Sequence, residues 1–334
     1  MLLIRYRLML LSFKKRIAML ECRKSYTSLS FLVLSTILFI AAGCKPGGDE
    51  QAKTSDDAEQ FRPVVIAVNY PLANVAHQLA GEWIDLQYPV PENVDPAYWS
   101  PDDAQVTAMQ QANLVLLNGA NHEPWQERVT LSPLNLANTS RGFHDQWIHV
   151  EDAVTHQHGP EGKHTHSGIA STTWLDPILL REQIHVVTQT LIKLLPDQRE
   201  EILKREKELD TDLDQLDSQW KAATKKLGDR PLIASHPVYQ YLAKRYGWKL
   251  DSLHWEPEQK LSKKEWEQFD KLQDKNKATL MIWEDEPLAE TKAELDKRGV
   301  KIVVIKPLSN GPPEKNVLDE MKANAERFDA ALSK

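Results

Sequence analysis

Residues 197–227 read DQREEILKREKELDTDLDQLDSQWKAATKKL, a run without Gly or Pro. Its apolar side chains Ile202, Leu209, Leu213, Leu216, Trp220, Ala223 and Leu227 recur at sevens, fours and threes, so one helix carries them all on one stripe. At ~1.5 Å per residue that helix is about 45 Å long, more than the width of one lobe. It is therefore expected to join two lobes, and the sequence on either side bears on that expectation.

Before it, short apolar runs alternate with amphipathic ones. Strands are expected at 64–68, 85–90, 114–117 and 147–150, and helices at 72–80, at 104–112 (opened by Ser100 as N-cap with Pro101 at N1) and at 178–195, which Pro196 ends. After it the alternation resumes, with strands at 232–234, 249–253, 280–283 and 300–305 and helices at 238–246, 263–274, 288–298 and 314–332. Short apolar strands alternating with helices form parallel sheets covered on both faces. The expected fold is α/β, with two lobes, each a mostly parallel sheet flanked by helices, joined by one long linking helix. The lobes are expected at 63–177 and 229–334, with the helical linker at 178–228.

Residues 1–44 are read apart from the fold. Residues 5–24 are basic, 31–42 are apolar but too short to span a bilayer comfortably, and small residues follow, which is the pattern of an export signal. Residues 45–62 read as a flexible tether. The formal net charge is −7, and residues 1–44 carry seven Lys or Arg against one Glu, so the exported body is more acidic still. That argues against a nucleic-acid partner and is compatible with cations. The only cysteines are Cys22 and Cys44, so the body has no thiolate. Any metal must be held by His nitrogen and by carboxylate or water oxygen.

Within residues 155–177, THQHGPEGKHTHSGIASTTWLDP, four imidazoles fall inside eleven residues: His156, His158, His164 and His166. Gly, Pro, Ser and Thr around them predict a solvated loop at 155–167, and alternating His-x-His pairs suit capture of zinc or a first-row neighbour. Asp176 and Pro177 then read as the N-cap and N1 of a helix. In parallel α/β sheets ligands sit beyond the carboxyl ends of the strands, which makes Asn69, Trp99, Trp174, Trp255, Glu284, Glu286 and Lys306 possible cleft-lining residues. His236, following a strand, is a further candidate metal ligand. No His-Glu-x-x-His, Gly-x-Ser-x-Gly or Gly-rich phosphate loop is present, so no enzyme is expected.

Several segments carry a family resemblance. Residues 95–101 (DPAYWSP), 174–177 (WLDP), 235–241 (SHPVYQY), 244–247 (KRYG) and 286–287 (EP), in this order and with the long helix and the His-rich segment, resemble the zinc and manganese ABC-transporter solute-binding proteins. Residues 41–44 (AAGC) resemble a lipobox, which implies acylation at Cys44, a lipid anchor facing the periplasm or cell exterior, and no need for a transmembrane helix. The resemblance further implies a monomer that captures a divalent ion, zinc first and manganese or another as alternatives, and delivers it to an ABC permease. It implies an interlobe site of three His and a carboxylate. Here three of those positions are Ala97, Thr172 and Lys306, and only His236 remains. The ion would then rest mainly on His156, His158, His164 and His166, with affinity falling as imidazoles protonate between about pH 7 and 5. The alternatives are an anionic or metal-chelate ligand held near Lys306 and the tryptophans, or a metal-buffering or adhesin-type lipoprotein.

Overall fold

The computed structural model describes residues 61–157 and 163–333, and side chains outside 151–167. The expected export signal at 1–44 with Cys44, most of the expected tether, and His158 lie outside the described residues. Two four-stranded sheets, each parallel throughout, form the framework. The first has the order β2-β1-β3-β4, built from β1 Val64–Ala67, β2 Asp85–Gln87, β3 Leu114–Leu117 and β4 Leu136–Asn138. The second has the order β10-β9-β7-β8, from β7 Leu232–Ala234, β8 Leu250–Ser252, β9 Leu280–Trp283 and β10 Lys301–Val304. Between them in sequence come β5 His149–Gln157 and β6 Lys163–Ile169, which pair only with each other, antiparallel.

Two sequence expectations change here. The fourth strand of the first sheet is β4, not 147–150, which lies partly within β5 instead. The His-rich segment is not a loop over its described length but a two-stranded ribbon, with His156 opposite His164 and Val154 opposite His166 in backbone register. A ribbon needs paired backbone groups more than an apolar face, and Val154, Thr155 and Thr165 suit extended backbone.

Burial follows the pleat of the strands. In β1, Val65 and Ala67 point into the main core, while Ile66 joins a second cluster with Met109, Val115, Leu117 and Trp125. In the second sheet, Leu232, Ala234, Leu280 and Ile282 enter the same main core, and Ile233, Met281 and Trp283 face Trp255 and Phe269 on the other side. Both faces of each sheet are therefore buried, which is why the strands read as unbroken apolar runs.

The helices, in chain order, are α1 Tyr70–Ala80, α2 Asp103–Gln111, α3 Pro177–Leu194, α4 Arg199–Leu227, α5 Gln240–Tyr246, α6 Lys263–Asn276, α7 Ala289–Lys297 and α8 Val317–Leu332. The long helix α4 packs against α3 and α8. Every residue of its expected stripe is buried in the core shared by both sheets. Local signals set several helix starts. Asp176 accepts Ile178 N–H at 2.9 Å with Pro177 behind it. Asp102 and Gln105 form a reciprocal capping box, so the start of α2 lies two residues beyond the expected Ser100. No described helix is long and apolar enough to cross a membrane.

Candidate metal-binding site

Beyond the carboxyl ends of the strands lies a cavity of about 490 Å³. The first half of the chain lines it with Asp95, Tyr98, His122, Thr172 and Trp174, and the second half with His236, His254 and Glu284. The base of the ribbon reaches it through Val150, Gly168 and Ile169.

His236 sits in the turn after β7; helix α5 begins only at Gln240, later than its expected start at 238. The ring is 5% exposed. Its Nδ1 lies 3.1 Å from Glu256 Oε1 and 3.8 Å from Glu284 Oε1, and the His254 ring stands across it at 5.7 Å between centroids. Burial by itself would lower the imidazole pKa. The hydrogen bond to Glu256 and the charges of Glu284, Glu256 and Asp95 outweigh it and hold the pKa above its ordinary value. Burial, and then Asp95, Glu256 and Glu284, drive the Tyr98 hydroxyl far above its usual range, so it stays protonated. The result is a pocket of negative potential around one imidazole, suited to a cation.

The other expected lining residues divide. Thr172 and Trp174 line the cavity, but both are engaged: Thr172 Oγ1 donates to Val238 O at 2.6 Å, and Trp174 Nε1 donates to Pro307 O at 2.8 Å. Asn69 is the buried N-cap of α1 and accepts Leu72 N–H. Trp99 stands edge-on to Trp125 in the second cluster, and Trp255 packs with Trp266, Phe269 and Trp283. Bulky rings next to strand ends are drawn into the cores that cover the sheets, away from the opening. Glu286 is exposed outside the cavity lining. Lys306, half-exposed, is outside it too, with Nζ 4.0 Å from Asp285 Oδ2. Among the described residues, no group of three or more His, Cys, Asp or Glu side chains is drawn together closely enough to hold an ion.

His122 escaped the sequence reading, which stopped at Asn118 at the end of β3. It is 1% exposed, with Nδ1 3.2 Å from Glu123 Oε1 and its ring edge-on to Trp174 at 5.4 Å. Glu123 in turn accepts Asn118 N–H at 2.7 Å and Gly119 N–H at 3.0 Å. A His-Glu pair just past a strand and a turn glycine was the available signal.

The model of one protein family, the periplasmic zinc-uptake complex component A or ZnuA, matches residues 65–331. The chain belongs to the ZnuA family. This is a family of metal-binding solute-binding proteins and not of enzymes. Among its relatives, the high-affinity zinc uptake system protein ZnuA of Bacillus subtilis (strain 168) is 25% identical over 229 residues, 66% of this chain and 68% of the relative. The manganese-binding lipoprotein MntA of Halalkalibacterium halodurans is 25% identical over 229 residues, 66% and 70% of the two chains. The ZnuA fold recurs in the metal-dependent lipoprotein YcdH of B. subtilis, with TM-score 0.68, 22% identity, and coverage of 80% of this chain and 99% of that one. It recurs again in the Zn(II)-bound ZnuA-like domain of Streptococcus pneumoniae AdcA, with TM-score 0.68, 18% identity, and coverage of 82% and 100%.

Proposed function

We propose that this ZnuA-family chain is the extracytoplasmic solute-binding component of a divalent-metal ABC uptake system, with zinc as its first cargo, held to the membrane by lipid on Cys44. It captures the ion outside the cytoplasmic membrane and hands it to a permease. The observation that carries this reading is the buried His236 between Glu256 and Glu284 at the wall of a cavity that both halves of the chain line. Nitrogen and oxygen donors without sulfur suit zinc and manganese. The relatives named for zinc and for manganese support the same class. His156, His158, His164 and His166 are assigned the role of a capture segment, a reading supported by the base of the ribbon, Val150, Gly168 and Ile169, which lines the cavity.

The test is a calorimetric titration of the purified full chain in detergent with zinc and with manganese. Saturable binding that weakens at least tenfold on deleting residues 155–167 or on His236→Ala supports the reading. A chain that takes up neither metal at neutral pH overturns it.

One observation favours a second reading, a metal carried within an organic chelate. A volume of about 490 Å³ walled partly by Trp174, Val150, Ile169 and Val238 is far larger than one ion requires. Among the described residues the same cavity is lined by no Lys or Arg, which weighs against an anion; Lys306 stands outside it. Tighter binding of a chelated than of a free metal would favour this second reading.

A further inference from the structure

We infer that His122 is the metal-ligating imidazole of the first lobe, binding the transported ion through Nε2. The inference rests on the metal-capture reading above and names a residue for it.

The tautomer follows from the neighbours. Glu123 already accepts two backbone N–H groups, from Asn118 at 2.7 Å and Gly119 at 3.0 Å, so its carboxylate is fixed in place. A carboxylate only accepts, so the ring nitrogen 3.2 Å from Glu123 Oε1 carries the proton. In the neutral ring that leaves a lone pair on Nε2. Nε2 is buried and has no hydrogen-bond partner among the described residues. A buried polar atom left without a partner is destabilising, and folds retain such atoms where a ligand completes them. A carboxylate behind the far nitrogen of a ligating imidazole is the usual support of a metal site, because it fixes the ring and raises its basicity.

Position agrees with chemistry. His122 lines the same cavity as His236 and His254, so both halves of the chain contribute imidazole to it. Its ring is locked against Trp174, whose own N–H is held by Pro307 O. The side chain is thus preorganised by a charged neighbour and an aromatic wall. Thr172 and Ala97, which stand at positions where the resemblance implies imidazoles, supply none; His122 supplies one from another point on the same wall.

The experiment is a zinc and cobalt titration of the full chain in detergent, as wild type, His122→Leu and His122→Gln, with thermal melts of each. Leucine fills the buried space without a nitrogen donor. The expected result is a loss of at least tenfold in zinc affinity for both variants with melting temperatures near wild type, and a changed position and intensity of the cobalt d–d bands. Equal affinity in wild type and either folded variant overturns the assignment while leaving metal capture intact. A wild-type chain that binds neither ion overturns both. Should both variants fail to fold, imidazole nitrogen NMR of the wild type decides: a shift of the His122 Nε2 resonance on adding zinc supports the inference, and an unmoved resonance at saturation overturns it.

Discussion

Arg205 of α4 grips Glu82 with two hydrogen bonds, at 2.5 and 2.9 Å, and lays its guanidinium over the Trp83 ring at 4.4 Å. The hydrogen bond from Arg205 holds the Glu82 carboxyl down at about 2. A depressed acid stabilises the fold above its unfolded value of 4.5, and that share is lost as pH falls from there toward 2. Glu82→Gln should therefore lower the melting temperature more at pH 7 than at pH ~2.5; a gap that stays constant with pH would refute the coupling. Since Glu82 is half-exposed, the effect at neutral pH should stay below about 1 kcal/mol. Gly119 is a different case. It sits at φ +75°, and a Cβ there would run into the side chains of Asn138 and Ser140. Gly119→Ala should cost at least about 1–3 kcal/mol in urea unfolding and, by displacing the N–H that holds Glu123, weaken zinc binding as well. Single residues also mark where sequence reading stopped. His236 was visible because it follows an apolar strand. For His122 the local sequence offered only the adjacent Glu123; the cavity it lines and the Trp174 ring against it, more than fifty positions away, are not encoded by any local pattern.

The sheet strands and α4 were legible because their burial is periodic. β3 and β9 are buried at every position, and α4 buries one stripe, patterns that survive in the bare letters. Trp220, within that stripe, meets Trp248 at 5.6 Å and Phe328 at 5.6 Å. Leu213→Ala on α4 should cost about 2–5 kcal/mol, since the residue is fully buried in the core shared by both sheets; a loss under 1 kcal/mol in chemical unfolding would contradict that placement. Asp102→Ala should remove about 1 kcal/mol by deleting one half of a capping box, measured the same way. The β5–β6 ribbon was not legible. Its composition resembles a turn-rich segment, and the pairing that makes it a ribbon depends on a partner strand across the hairpin, not on its own apolar content. The tryptophans misled for a related reason: Trp99 and Trp255 lie next to the opening in sequence but are packed inward.

At the scale of the molecule, residues 59–334 form one compact unit. The inner faces of both sheets, with α1, α3, α4 and α8, contribute to one main cluster of buried side chains. The two lobes should consequently melt in a single transition, with calorimetric and van't Hoff enthalpies equal; two resolved transitions would show separate cores. The same continuity bears on uptake. Prying the sheets apart would strip water-excluded surface at roughly 25 cal/mol for each Å², so thermal energy cannot swing them wide. Zinc loading should leave the radius of gyration in X-ray scattering nearly unchanged. On the proposed function, a body with so stiff a spine would admit and surrender a cargo at the rim, by the turns after the strands, and a permease docking there would sense a full or empty carrier by feeling its lips.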